Sequence, residues 1–410
     1  MSTGRLQINV FDETIGNPLS DTRITVFDAA NNRTVSELIT NSSGQSDTVE
    51  LETPPTEYSL NPNSPMPYGE YNIEVQKENF DTIYIENIQV LPDALAKQDV
   101  FTRPTSNNPN QNLEFFIPPH TLYGEYPPKI TEDAVKELPN SSGLVVLDKV
   151  VVPEYVVVHD GDPNDDSAPN YYIPYKDYVK NVASCEIYAT WPEEAIKANI
   201  LTINSFTLNR VYTEWYRSRG KNFTITSSTA YDQKFVYQRN IFQEISNIVD
   251  DFFATFITKP QIKQPLFTQY CDGKNVTCPG WLSQWGSKEL AESGLGYIDI
   301  LQNYYGSEIY LESTDQVNGI PVSFPGEVLQ IGSTGNSVRT VQSQLNAISD
   351  KYPSIKKIAV DGIYGQNTVD SVKQFQNIFG LSETGSVDYA TWYEISKVYT
   401  AVKRLGETQV

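Results

Sequence analysis

The sequence predicts a multidomain α+β protein with an N-terminal antiparallel β-sandwich, a central α+β unit and a C-terminal three-helix domain. Three observations carry this. Apolar residues alternate with period two over about the first hundred residues, and they recur every three to four residues over about the last ninety. The stretch between mixes both periods. At 410 residues the chain can bury several cores, and 39% hydrophobic with 12% aromatic residues suits a folded polypeptide.

Residues 1–103 read as strands. Leu6, Ile8 and Val10 alternate, as do Ile24 and Val26, Tyr71, Ile73 and Val75, and Ile83 and Ile85, with turn signals at Gly16-Asn17-Pro18 and Asn41 to Gly44. Residues 104–149 are Pro-rich and polar without sustained periodicity, and read as a linker in which His120 is incidental. Order resumes in the β-branched run "LVVLDKVVVPEYVVVHDG" and continues through 150–320. There a capping box from Thr190 to Glu193, with Pro192 in the first turn, opens a helix expected over 191–218. "NFTITSST" is a strand candidate, and "IFQEISNIVDDFFATFI" has a helical apolar face. In 321–410 the spacing of Val338, Val341, Leu345 and Ile348, then of Val369, Val372, Phe375 and Phe379, predicts two helices; "YATWYEISKVY" is the third.

Charge and composition exclude several function classes. A net charge of −21 argues against nucleic acid, whose phosphates need clustered Lys and Arg, and against charge-driven docking to anionic membranes. No apolar run approaches the roughly 18 residues of a membrane span. "MSTGRLQINVFDETIG" has neither a basic nor an apolar leader region, so synthesis without a signal peptide is expected. Three cysteines cannot make a disulfide framework. The pair Cys271 and Cys278 leaves zinc, a disulfide or free thiols open, with no histidine near in sequence to complete a zinc site.

Family resemblances sharpen this. The order "LQINVFD…GNPLSDTRITVFD" resembles carboxypeptidase-regulatory-like, or prealbumin-like, domains. "LQIGSTGNSVRTVQSQLNAI" followed by "VDGIYGQNTVDSVKQFQNIFGLSETGSVDYATW" resembles the bacterial peptidoglycan-binding helical domain. "YKDYVKNVASCEIYATWPEEAIKANILTINSFTLNR", then "YDQ" and "GWLSQWGSKELAESGLGYIDILQNYYG", resembles the SpoIID/LytB family of glycan-strand-cleaving enzymes. The family's catalytic acid falls on Glu186. Its usual arginine is replaced within Asn204-Ser205-Phe206, and its usual histidine within Cys278 to Trp281, so neither role carries over. All three units in this order resemble the germination-specific spore cortex-lytic enzymes of clostridia. That implies a zymogen made in the mother cell and held at the boundary of cortex and coat. A subtilisin-like Csp protease would cut it in the region Leu147, Asp148, Lys149 and Val150. The substrate implied is cortex peptidoglycan bearing muramic δ-lactam.

The chemistry expected is lytic transglycosylation. Ordinary glycosidases use two carboxyl groups. One suffices when the C6 hydroxyl of muramic acid attacks its own C1 and closes a 1,6-anhydro ring. A carboxyl that first gives and then takes a proton works best where apolar neighbours penalise its charge, and Cys185 and Ile187 flank Glu186. No cofactor is needed. For substrate binding the candidates are Tyr188, Trp191, Trp281 and Trp285 as stacking rings, with Ser283, Gln284, Asp232 and Gln233 as polar partners. A water-using glycosidase and a non-catalytic wall-binding protein are the rival readings.

Overall fold

The computed structural model describes residues 2–14, 16–105, 112–137, 149–319 and 322–407, of which 404–407 are described in backbone only. The N-terminal strands are β1 (Ser2–Asp12), β2 (Arg23–Asp28), β3 (Thr34–Ile39) and β4 (Val49–Thr53), then after the one-turn helix α1 (Glu57–Leu60) come β5 (Gly69–Gln76), β6 (Thr82–Val90), β7 (Leu95–Thr102) and β8 (Asn112–Phe116). One sheet runs β3-β2-β5-β6-β8, and β7, β1 and β4 form most of the other. The predicted alternation is what closes the sandwich: Leu6, Ile8, Val10, Ile24, Val26, Ile73, Val75, Ile83 and Ile85 all point between the sheets and are at most 1% exposed. It is not wholly antiparallel, since β1 runs parallel to β7 and β6 parallel to β8.

β8 corrects the linker expectation. Its Leu113 and Phe115 are partly buried against the core, and its backbone extends the larger sheet beside β6. Three alternating residues in a Pro- and Asn-rich stretch are too short a signal to register. His120 is likewise not incidental: it is 2% exposed and lies with its ring 4.4 Å from that of Tyr188.

The central unit comprises β9 (Tyr155–His159), β10 (Asn170–Pro174), α2 (Tyr175–Glu186), α3 (Glu193–Tyr212), β11 (Ile225–Thr226), β12 (Ile241–Phe242) and α4 (Gln243–Phe252). After these come β13 (Thr255–Thr258), β14 (Tyr270–Cys271), β15 (Leu282–Ser283), α5 (Gln284–Glu292), α6 (Tyr297–Tyr305) and β16 (Tyr310–Ser313). Nearly every residue of α3 from Ala195 to Tyr212 is buried, because α2, α4, α5, α6 and β13 all pack around it. Its polar residues are therefore spent internally. Asn204 donates to the carbonyls of Phe253 (3.0 Å) and Thr255 (2.7 Å), and Ser205 Oγ accepts from Ile257 N at 2.6 Å. The residues standing where the family has its arginine thus hold the start of β13.

Two local expectations fail here for identifiable reasons. Pro192 is the N-cap of α3 and no side chain caps it, because Thr190 bonds to Ser59 instead. The helix expected to run on through 257 ends at Phe252, and Phe256 and Ile257 enter β13, paired with β16. One element crosses between units: β12 pairs antiparallel with β7 and so completes the second sandwich sheet, in the order β12-β7-β1-β4.

The last unit is the expected three-helix domain, α7 (Asn336–Ile348), α8 (Gln366–Phe379) and α9 (Tyr389–Glu407). Val338, Val341, Leu345, Ile348, Val372 and Phe375 form its core with Trp392 and Ile395, while Val369 and Phe379 are only partly buried. It is docked by a charged cluster. Lys176 on α2 bridges Glu394 on α9 (2.8 Å) and Asp250 on α4 (2.6 Å), Lys180 joins Asp250 at 2.9 Å, and Lys397 reaches Asp177 at 2.7 Å. Burial alone would push the Glu394 carboxyl up, but the charges of Lys176, Lys397 and Lys180 hold it well below the usual range.

Glu394→Gln should therefore cost about 3 kcal/mol in urea unfolding, since it leaves Lys176 buried with half its compensation. The depressed carboxyl contributes in full above its ordinary value of 4.5, and its contribution is lost as pH falls through the folded value. The gap between wild type and Glu394→Gln should accordingly be constant near neutrality and shrink below about pH 4.5.

Candidate active site

Glu186 is the last residue of α2, where the chain leaves the helix and Ile187 turns extended at φ −139°. That placement projects its carboxyl out of the helical core while leaving it only 3% exposed. Four donors from four separate segments meet it. Oε1 accepts from the backbone N–H of Lys234 (2.9 Å) and the hydroxyl of Tyr270 (3.3 Å). Oε2 accepts from Gln284 Nε2 and lies within reach of Thr121 Oγ1, each at 3.2 Å. Cys185 and Ile187 are both buried as expected, but the carboxyl itself is ringed by hydrogen-bond donors, because a buried carboxyl must be satisfied.

Each donor is positioned by its own element. Gln284 opens α5 and also donates to the carbonyl of Glu186 at 2.9 Å, so its amide clamps both backbone and side chain of the same residue. Ser283 caps α5, accepting from Gly286 N at 3.0 Å. Tyr270 lies in β14; burial first, then the Glu186 charge, pushes its phenol up and keeps it a proton donor. Lys234 follows Asp232 and Gln233, which are fully buried beneath the site and touch Glu186 with no side-chain bond. Asp232 accepts from Arg210 Nε (2.7 Å), Tyr216 (2.7 Å) and Thr226 N (2.9 Å), while Gln233 accepts from Tyr178 (3.2 Å) and Thr207 (2.8 Å). They shape the loop that aims the Lys234 amide.

Beside the carboxyl lies a cavity of about 50 Å³, walled on one side by Tyr270, Cys271, Asp272, Asn275 and Gln284 and on the other by Thr121, Gly124, Tyr126 and Lys129. Cys271 and Cys278 form a disulfide that closes the first wall's loop, which settles the alternatives left open above and takes both sulfurs away from zinc. The loop fits tightly: Gly273 has φ +76°, and a Cβ there would sit 1.8 Å from Ser283 Oγ. Asp272, the second carboxyl of the cavity, is occupied by that loop, accepting from Asn275 N (2.8 Å) and Val276 N (3.0 Å). Cys185 is fully buried, and burial pushes its thiol up, away from nucleophilic use.

The aromatic candidates gather next to this cavity, covered rather than open. Tyr188, Trp191 and Trp285 are 2%, 4% and 4% exposed and pack as one cluster, with the two indoles 5.0 Å apart. The lid on them is the α1 segment of the sandwich, where Ser59 O accepts from Trp191 Nε1 at 2.9 Å and Leu60 O from Lys288 at 2.7 Å. Trp285 Nε1 is buried without a partner among the described residues. Trp281 is half-buried just before β15, outside the cluster. His120, against Tyr188, is held neutral: burial, then the charge of Arg239, pushes its imidazole well below the usual value. Thr121, Tyr270 and the Lys234 amide escaped the sequence reading, since one lies in apparent linker, one has no motif around it and one is backbone.

Two segments match known family models. Residues 168–251 match the Stage II sporulation protein family, SpoIID, and residues 334–395 match the putative peptidoglycan binding domain. No similarity to a curated protein is found. Among solved structures, the SleB N-terminal domain is 32% identical over 18% of this chain and 97% of that one, with a TM-score of 0.17. The 5-hydroxyisourate hydrolase of Klebsiella pneumoniae is 16% identical over 25% of this chain and 94% of that one, also at 0.17. The TIE protein of Bacillus anthracis is 18% identical over 25% and 18%, at 0.18. Among the described residues no helix is long and apolar enough to cross a membrane. The central unit thus carries a SpoIID match and the last unit a peptidoglycan-binding match, which marks this as a cell-wall-degrading protein of sporulation and germination.

Proposed function

We propose that the chain is the precursor of a spore cortex-lytic enzyme, and that it cleaves peptidoglycan glycan strands as a lytic transglycosylase with Glu186 as its single acid and base. The observation that carries this is the contrast between the two carboxyls of the cavity. Both oxygens of Asp272 are held by amides of its own loop, whereas Glu186 lines the cavity and its Oε2 meets only side chains there, Gln284 Nε2 and Thr121 of the upstream segment. One available carboxyl suits a mechanism that needs one.

In that mechanism Oε2 gives its proton to the glycosidic oxygen as the bond to muramic C1 breaks. The C6 hydroxyl of the same muramic acid then bonds to C1, and its proton returns to Oε2. Tyr270 and the Lys234 amide hold Oε1 throughout, so the carboxyl keeps its aim in both protonation states. Tyr188, Trp191 and Trp285 would stack on flanking sugars once uncovered, with the unpartnered Trp285 Nε1 free to donate to a sugar oxygen. The substrate would be cortex peptidoglycan with muramic δ-lactam, met at the boundary of cortex and coat.

Activation by a subtilisin-like Csp protease would fall in residues 147–150. Leu147 and Asp148 lie outside the described residues; Lys149 is exposed and Val150 is buried, its carbonyl accepting from Thr314 at 2.6 Å. A new terminus at Val150 would thus stay anchored to the central unit.

Mass spectrometry of the products from decoated spores tests the reaction. The activated protein should release 1,6-anhydro-muramyl ends, and Glu186→Gln should slow release by about 10³-fold. Reducing ends in their place would mean water is the acceptor. Tyr270→Phe should lower kcat by about tenfold at unchanged KM, the worth of one hydrogen bond to a charged group. Asp272→Asn should cost far less than Glu186→Gln; an equal loss would instead support a two-carboxyl hydrolase.

A further inference from the structure

One whole wall of the Glu186 cavity, Thr121, Gly124, Tyr126, Pro127, Pro128 and Lys129, comes from one segment, 117–137, upstream of the expected cut. With it in place the cavity holds about 50 Å³, against the roughly 300–1,000 Å³ of sites that enclose small ligands. Thr121 is the innermost part of the plug: its backbone N–H donates to Cys185 O (3.2 Å), and its hydroxyl lies 2.9 Å from that carbonyl and 3.2 Å from Glu186 Oε2. It stands where a substrate hydroxyl would meet the carboxyl. Lys129 then donates to the carbonyls of Asp232 and Thr229, with its ammonium 4.6 Å above the Tyr270 ring.

Beyond the cavity the segment is clipped down. Ile130 N donates to Ala230 O (2.7 Å), and Gln269 brackets the chain by donating to Ile130 O (2.7 Å) and accepting from Glu132 N (2.8 Å). Glu132 then makes a bidentate pair with Arg210, at 2.6 and 3.0 Å, on the face opposite Asp232. Gln264 pairs with both backbone groups of Lys136 (3.0 and 2.9 Å). All these contacts are made directly to residues of the central unit that lie downstream of the expected cut. The sandwich adds its own hold, through β12 on β7 and Asn240 on Gln89.

We propose that residues 117–137 are a built-in peptide inhibitor that fits the Glu186 groove and stays seated after the chain is cut at 147–150, so that departure of the segment, not the cut, opens the site. The inference rests on the reading of Glu186 above and adds its regulation. It makes the groove a binding site for a named segment of this chain, and it makes the cleaved N-terminal piece an inhibitor in trans. Burial pushes the Glu132 carboxyl up, but the hydrogen bonds and charge of Arg210, with Lys136, hold it below the usual range. The clip is therefore intact at and above about pH 4.5 and loosens only in stronger acid.

The test uses the full chain with a specific protease recognition sequence placed at 147–150, as wild type and as the double variant Thr121→Ala/Glu132→Gln. After cutting, the wild-type N-terminal piece should co-elute with the rest in gel filtration, and the nicked protein should digest cortex peptidoglycan at least tenfold more slowly than the nicked double variant. A synthetic peptide of residues 112–137 should slow that variant again. Wild type as fast as the variant, with the peptide inert, would overturn the proposal. In a Glu186→Gln background, calorimetry with a soluble GlcNAc–MurNAc tetrasaccharide should show binding to the nicked double variant and none to nicked wild type. That arm decides the proposal even if no form of the protein cleaves, which is the outcome that would sink the enzymatic reading alone.

Discussion

The guanidinium of Arg210 ties the central unit together. It is 1% exposed, packed against Phe267 and Trp215, and it meets a carboxylate on each side. Buried charge of this kind is tolerable only when fully paired. The inner partner, Asp232, also takes Tyr216 and the backbone of Thr226, so one ion pair fixes α3, β11 and the loop that leads to Lys234. The outer partner, Glu132, belongs to the segment lying across the groove. Floor and cover of the site therefore hang from the same cation. Loss of the cover still leaves Arg210 with a buried counter-ion.

How much of the fold was legible depends on where the decisive interactions sit. Period-two and helical spacing marked the sandwich and the last three helices because each has one wet face and one dry face. The same spacing could not end α4 at Phe252, since the apolar run continues into a buried strand and hydrophobicity alone does not separate the two. Thr190 looked like a cap until Ser59, more than a hundred residues away, claimed its hydroxyl. The supposed linker failed most instructively. Residues 117–137 have no periodicity because they form no repeating element, yet they are bonded to the central unit along most of their length.

The site divides along the same line. Glu186 and Gln284 were both singled out from family-like runs, and the structure brings them into direct contact. Asp232 and Gln233, expected as polar partners of the substrate, build the loop behind the carboxyl, with their side chains bonded to Arg210, Tyr216, Tyr178 and Thr207. Tyr188, Trp191 and Trp285, expected as stacking rings, pack against one another beneath α1. Tyr270 and the Lys234 amide carry no local signature at all. A hydrogen-bond donor is chosen by where the chain returns in space, and composition does not record that.

The cluster of Lys176, Asp250, Glu394 and Lys397 has a consequence for reach. A wall-binding module on a flexible tether would let the cutting site roam over any strand within the tether's length, at a local concentration set by that length. Here α9 is tied to α2 and α4 by the buried Lys176, Asp250 and Glu394 and by the partly exposed pair of Lys397 with Asp177, so anchor and blade are held against each other like the arms of a caliper. On the proposed reading, a strand held by the last unit would be offered to Glu186 at one offset and in one orientation. Such a protein would measure the wall as it cuts it, and would have to let go before its next incision.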